Sequence, residues 1–181
     1  MRRNLFLPFI AITLFILSSS CERNDERLTG QISLSSAFDF ETASVYGYNF
    51  DLAKKVRYPS ADKVLPDLLL FDYRKVDGTI LPGFASPSNE YGFARHGESF
   101  SSLTAAREYF NGLHQPDSNA LYVAESDTVR LYDIWVLKTA AENYVKLLVL
   151  DVDVVEDPQS KHLEVRVDFV YQPDGTNQFK E

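Results

Sequence analysis

Three histidines, His96, His114 and His162, are the side chains of this chain best suited to move a proton near neutral pH or to ligate a transition metal. Each would need a partner. Many serines surround them, but no Gly-x-Ser-x-Gly elbow occurs, and Gly97-Glu98-Ser99 does not complete one. Acidic pairs come next. Asp151 and Asp153 lie two apart in an apolar stretch, so on a strand both carboxylates point to one face, about 6.6 Å apart. Glu156 and Asp157 follow, and hard cations such as calcium take oxygens at such spacing. No EF-hand glycine accompanies them, and the alternative reading is a strand end entering solvent. Asp67 and Asp72 flank the run DLLLFDY. Two carboxylates across a cleft could hydrolyse a glycoside, whereas solvated strand ends need no cleft. No Walker-type or Rossmann glycine pattern is present. No constellation of residues requires an enzyme.

The single cysteine has a different chemistry. Arg2 and Arg3 precede an apolar run, Leu5–Leu17, and Ser18, Ser19 and Ser20 lead into Cys21. Basic end, apolar core and small residues are the order of a secretory signal. A membrane span needs about 20 apolar residues; this run is shorter and contains Pro8. The pattern resembles the bacterial lipobox, in which a cysteine after small residues is acylated and becomes the first residue of the mature chain. Leu17 sits one place further from the cysteine than the usual lipobox leucine. Acyl chains anchor a protein at about 0.8 kcal/mol per buried CH₂. Residues 1–20 are therefore expected to be a removed signal peptide, Cys21 the lipidation site, and 21–30 a polar tether on a membrane.

Loss of Arg2 and Arg3, with no acid lost, moves the net charge from −8 to −10. So acidic a domain is not drawn by charge to nucleic acid or to bare anionic lipid. No cysteine remains to form a disulfide within the chain, so residues 31–181 must fold as one domain around an apolar core. The 13 Phe and 10 Tyr supply it.

The elements that position these groups are mostly strands. Gln31–Ser36 alternates. Val45–Leu52 is aromatic-rich, with Gly47 suggesting a bend or bulge. Asp67–Tyr73 reads as a central strand, Val76-Asp77-Gly78-Thr79 as a turn, and Ile80–Phe84 as a weak strand. Residues 82–101 read as a loop. Leu103, Ala106, Phe110 and Leu113 share one face of a helix capped by Ser101 or Ser102 and ended by Gly112 and Pro116. Strands are expected at Ala120–Ala124, Val129–Leu137 and Tyr144–Val155. In the last of these both faces are apolar, so it lies centrally with cover on each side. Leu163, Val165, Val167, Phe169 and Tyr171 alternate with Glu164, Arg166 and Asp168, a half-buried antiparallel strand. The fold class is mainly β: an antiparallel sandwich or curled sheet with one short helix.

Four of these segments carry a family likeness: Val45–Phe50 (VYGYNF), Pro66–Tyr73 (PDLLLFDY), Ile134–Leu150 (IWVLKTAAENYVKLLVL) and Val165–Phe179 (VRVDFVYQPDGTNQF). Their order behind a lipoprotein signal resembles the HmuY-like lipoproteins of the Bacteroidota. The resemblance covers about half of the chain and consists of strand patterns. It implies a mostly β ligand-binding domain in the cell envelope, lipid-anchored to the outer membrane and exposed at the cell surface. It also implies haem or a related porphyrin as ligand, held by histidines or methionines. Met1 is the only methionine and leaves with the signal, which leaves histidines. His96 and His114 are the candidate pair, with Tyr91, Phe93 and Phe100 as a dry wall. They straddle the helix, roughly 16 Å, so the chain between them would have to fold back; the alternative is two solvated loop imidazoles. His162 is expected in a solvated turn.

Two other readings stand beside this one. A glycan- or protein-binding component of an outer-membrane complex would use wet aromatics, with Tyr46, Tyr48 and Tyr132 as candidates. A purely structural role would leave no sizeable pocket. Asp127-Thr128-Val129 also resembles the O-glycosylation acceptor of exported Bacteroidota proteins, which requires an exposed turn.

Overall fold

The computed structural model describes residues 28–98, 100–156 and 160–179. The signal segment, Cys21 and most of the tether lie outside them. No helix among the described residues is long and apolar enough to cross a membrane.

Among the described residues, nine strands and one helix follow in the order β1 (Thr29–Asp39), β2 (Ser44–Asn49), β3 (Lys54–Tyr58), β4 (Leu69–Arg74), β5 (Ile80–Ala85), β6 (Phe93–Gly97), α1 (Leu103–Gly112), β7 (Ile134–Lys138), β8 (Tyr144–Glu156) and β9 (Lys161–Gln172). Seven of the strands form one open antiparallel sheet, β3-β2-β1-β9-β8-β7-β6, and β4 and β5 form a separate hairpin. The fold is mainly β with one short helix, the class expected from the alternating patterns.

The inward residues of β9, Leu163, Val165, Val167, Phe169 and Tyr171, meet Ile32 and Leu34 of β1 and Val145, Leu147 and Val149 of β8. The hairpin covers this face with Leu70, Ile80 and Phe84, assisted by Leu68. Helix α1 covers part of the opposite face, setting Ala106 and Phe110 on Ile134 and Leu148. The first half of β8 is thus enclosed on both sides, as its doubly apolar pattern implies. Register shifts between Val149 and Asp151, and beyond this bulge no residue of β8 is fully buried.

Ser102 caps α1 by accepting a hydrogen bond from the Ala105 amide at 3.2 Å. At the other end stands Lys146 of β8, 4% exposed. Its ammonium donates to the carbonyls of Phe110 (2.7 Å) and Leu113 (3.0 Å) and lies 4.7 Å from the Phe110 ring centre and 5.4 Å from that of Phe179. Carbonyls at a helix C-terminus have no partner within the helix and carry the negative end of its dipole. A lysine on the sheet supplies both donor and charge. The chain end joins this contact, since the Phe179 amide donates to the His114 carbonyl at 2.8 Å and the Phe179 ring is buried.

Several local expectations are corrected. Gly47 makes no bulge: β2 pairs with β3 in unbroken register, and the irregularity falls in the β1–β2 pair between Ser35 and Asp39. Glycine is required there by contact, because a Cβ would lie 2.5 Å from Pro66 Cβ and 2.6 Å from the Leu68 carbonyl. Gly47→Ala is expected to cost about 1–3 kcal/mol through overpacking, measurable as a lower urea midpoint with unchanged slope. Strand β3, KKVRY, carries too many cations for its sequence to announce a strand, yet Val56 is buried opposite Gly47. Residues 82–101 are no simple loop, for they contain β6. That edge strand is held by β7 on one side and by paired backbone bonds between Phe93 and Val123 on the other, at 2.8 and 2.9 Å. Ala120–Ala124 forms no strand; beyond that bridge its Ala124 carbonyl accepts from the Ser86 amide at 3.0 Å, and β7 starts at Ile134. Tyr132 just before it takes a positive φ of 68° while the Asp133 carboxylate accepts from the Arg130 amide at 3.0 Å, a turn that ends any extended run. β1 begins at Thr29, and the Leu28 carbonyl accepts from the Tyr171 amide at 2.6 Å, so the last tether residues belong to the sheet.

Candidate functional site

The histidines fall on different elements. His96 lies on β6 and is half-buried. Its Nε2 is enclosed with no hydrogen-bond partner among the protein atoms, and its carbonyl accepts from the Tyr109 hydroxyl at 2.8 Å. Burial lowers its pKa below the usual imidazole value, with Asp117 opposing. His114 follows α1 and is exposed. The expected dry wall does not form as one surface: Phe93 is fully buried in the larger core, Phe100 packs beside the helix against Tyr109, and Tyr91 is exposed. His162 is not in a solvated turn but on β9, its side chain only 11% exposed, with Ser160 at 3.3 Å and Glu164 at 3.8 Å.

The acidic pairs also separate. Asp67 is fully buried, not a solvated strand end. Its carboxylate accepts from the Phe50 amide (3.0 Å), the Ser88 hydroxyl (2.9 Å) and the Ala140 amide (3.5 Å), tying three loops together. Burial raises its pKa, and the three donors oppose that rise. Asp72 instead pairs with Arg74 at 2.7 Å. A second polar junction lies close by. The Tyr171 hydroxyl donates to Asp51, and Asn143 Nδ2 donates to that hydroxyl at 2.9 Å. The Gly175 amide closes onto Asn143 Oδ1 at 3.0 Å. Burial and the Asp51 carboxylate together raise the Tyr171 pKa. Both are joints of the fold, and no spacing rule would have linked Asp51 to Tyr171.

The Asp-Thr-Val segment is similarly occupied. Arg95, 4.6 Å from the Trp135 ring centre, donates to the Thr128 carbonyl at 2.8 Å and to Asp127, and lies 3.5 Å from the buried Asp133. Thr128 itself is half-buried outside any strand.

Among the surfaces open to solvent is the sheet face that α1 leaves uncovered. There β1, β2 and β3 form a cleft of about 360 Å³ lined by Ser35, Ala37, Phe38, Asp39, Tyr46 and Lys55. Phe38 is 48% and Tyr46 43% exposed, and Phe40 stands beyond at 78%. The Phe38 and Phe40 rings meet edge to face at 5.2 Å. Aromatic surface outside a core is costly to hydrate, and clustered exposure of this kind marks contact surfaces.

The sequence matches no protein-family model and no curated protein.

Further along the same face, Ser33, Asp151, Asp153, Glu164, Val165 and Arg166 line a smaller depression of about 140 Å³. Asp151 pairs with Arg166 at 3.1 Å. Among the described residues, no group of three or more His, Cys, Asp or Glu side chains is placed to hold a metal ion. Of the stacking candidates read from sequence, Tyr46 is on this surface. Tyr48 packs into the core against Phe50 and Phe169, and Tyr132 packs against the cluster beneath α1. The exposure of Phe38 and Phe40 is not legible in the sequence, because a Phe-Asp-Phe run at a strand end reads equally well as core. The following Glu41 and Thr42, both bonded back to Asp39, were the available sign that the strand ends in a solvated turn there.

Proposed function

We propose that this chain is a cell-envelope lipoprotein of HmuY-like type, anchored to the outer membrane through Cys21 and displayed at the cell surface. It binds a ligand through the Phe38–Tyr46–Lys55 cleft and performs no catalysis. The observation that carries this reading is the joint exposure of Phe38, Phe40 and Tyr46 at the end of the β1–β2 hairpin. Three large rings clustered in water favour contact with something else. The test is native mass spectrometry of the purified protein after incubation with an envelope extract of the source cells. A discrete mass adduct is expected, lost in the Phe38→Ala/Tyr46→Ala double variant. No adduct, or one indifferent to the double substitution, removes the reading. Intact mass of the native protein checks the anchor: a chain beginning at an acylated Cys21 is expected, and a retained Met1 with an unmodified thiol contradicts it.

One observation favours a second reading, haem bound by His96 and His114. The enclosed Nε2 of His96 has no protein partner, and a buried imidazole nitrogen of this kind can serve as an axial ligand. Ligation would require the cover over His96 to lift. Titration with haemin is then expected to give a sharp Soret band that His96→Ala abolishes. A free-haem spectrum throughout excludes this second reading and leaves the cleft untouched.

A further inference from the structure

The two depressions on the open face are one surface. Ser35 of β1 pairs with Tyr46 of β2 and with Glu164 of β9, Tyr46 pairs with Arg57 of β3, and Glu164 pairs with Asp153 of β8. Residues directly opposite in paired strands share a face. The row Arg57–Tyr46–Ser35–Glu164–Asp153 therefore crosses five adjacent strands. Four interstrand steps at about 4.8 Å give a strip of about 19 Å. Beside it run Lys55 at one end and Arg166 with Asp151 at the other. The salt bridge from Arg107 of α1 to Asp168, at 2.7 Å, marks the margin where the helix cover begins.

We infer that this strip binds a short, extended oligosaccharide with an acidic sugar at the Lys55 end. The inference rests on the reading of the Tyr46 cleft as a ligand site and names the ligand class. A sugar presents a flat C–H face to an aromatic ring and a belt of hydroxyls to planar polar groups. Tyr46 and Phe38 offer exposed rings. Glu164 and Asp153 are exposed carboxylates that accept charge-assisted bonds from hydroxyls. Arg166 is held ready by Asp151. The sheet makes a rigid base, so little is lost in ordering it. Like charges directly opposite, as Asp153 and Glu164 are, destabilise a sheet, and donors from a ligand offset that repulsion. A protein partner would need a dry apolar centre, yet beyond Ser35 the strip is charged and wet. Lys55 lines the aromatic cleft beside Asp39, and Arg57 lies directly opposite Tyr46; these two cations set the polarity of the bound chain.

The experiment presents the full chain to an immobilised panel of neutral and uronate-containing disaccharides and tetrasaccharides. Retention of a uronate-containing tetrasaccharide is expected. Tyr46→Ala is expected to weaken it at least tenfold, while Tyr46→Phe stays within about threefold of wild type because the ring remains. Asp153→Asn with Glu164→Gln is expected to weaken the tetrasaccharide at least fivefold and leave the disaccharide unchanged, since only the longer chain reaches them. No retention of any glycan, or a Tyr46→Ala variant equal to wild type, overturns the inference. If glycans fail while the envelope-extract adduct persists and depends on Phe38 and Tyr46, the cleft stands and the ligand is of another class. If both fail, the cleft reading falls as well.

Discussion

Asp67→Asn is expected to lower the unfolding free energy by about 3 kcal/mol. The carboxylate is fully buried and serves the Phe50 amide on one oxygen and Ser88 with Ala140 on the other. An amide can present an acceptor to one side only. Its NH₂ then confronts either the Phe50 N–H or the Ser88–Ala140 pair, and a buried donor facing a donor loses about 1–3 kcal/mol for each unmade bond. Urea unfolding followed by Trp135 fluorescence measures the change, and a loss below about 1 kcal/mol contradicts the joint described. The pH dependence carries a separate signature. Burial raises the folded-state pKa of Asp67 above the usual aspartate value, so the folded state binds the proton more tightly than the unfolded chain. The resulting contribution is fully present below the unfolded pKa near 3.8 and is lost as pH rises through the folded value. Asn cannot titrate, so the deficit of Asp67→Asn relative to wild type should be larger at the acid end of that window than at neutral pH. Asp133, also fully buried with a raised pKa, shifts stability in the same direction. It remains in the variant and cancels from the difference.

The second large effect falls on Lys146. Lys146→Ala is expected to cost about 3 kcal/mol, because two helix-end carbonyls lose a charged donor and the aliphatic stem between the Phe110 and Phe179 rings is removed. Lys146→Met restores the stem without the donor, and about half of the loss should return. Hydrogen exchange distinguishes the local consequence from the global one. Amides of α1 and of the Phe179 segment should lose protection in both variants, while those of β9 change only as far as overall stability falls. Equal loss of protection in β9 and α1 under native conditions would show that Lys146 does not hold the helix end specifically.

These two residues show what a pattern can and cannot reveal. In Tyr144–Leu150 the run of apolar residues places β8 centrally with cover on both faces, and that is where it lies; Lys146 sits within the run as a blemish. Hydrophobic periodicity has no means of saying that a helix end, separated by more than thirty positions, supplies the carbonyls that make a lysine acceptable there. Asp67 is the same case in reverse. Flanking an apolar strand, it reads as the point where the strand meets water, but the loops bearing Ser88 and Ala140 close over it. β6 is hidden for another reason. Its short stretch between glycines has little propensity of its own and becomes a strand because β7 and Val123 both offer it backbone partners.

The histidine pair illustrates the limit for sites. Ring nitrogens can be named from sequence, but whether one is enclosed depends on what packs over it, and His96 is enclosed while His114 is not. The aromatic cleft is legible only in hindsight. Phe38 and Tyr46 have the composition of core residues, and their exposure follows from the length of β1, which runs past the cover offered by the β4–β5 hairpin and α1.

By itself the sequence determined what depends on neighbours along the chain: the mainly β class, the alternating β9, the capped helix and the turn at Gly78, since periodicity, capping and backbone conformation are local. Only the tertiary structure decided which polar side chains are joints, which aromatics face water, and which strands meet to lay Tyr46, Ser35, Glu164 and Asp153 in one row. Those outcomes depend on strand order and on what covers each face, which no stretch of chain encodes alone.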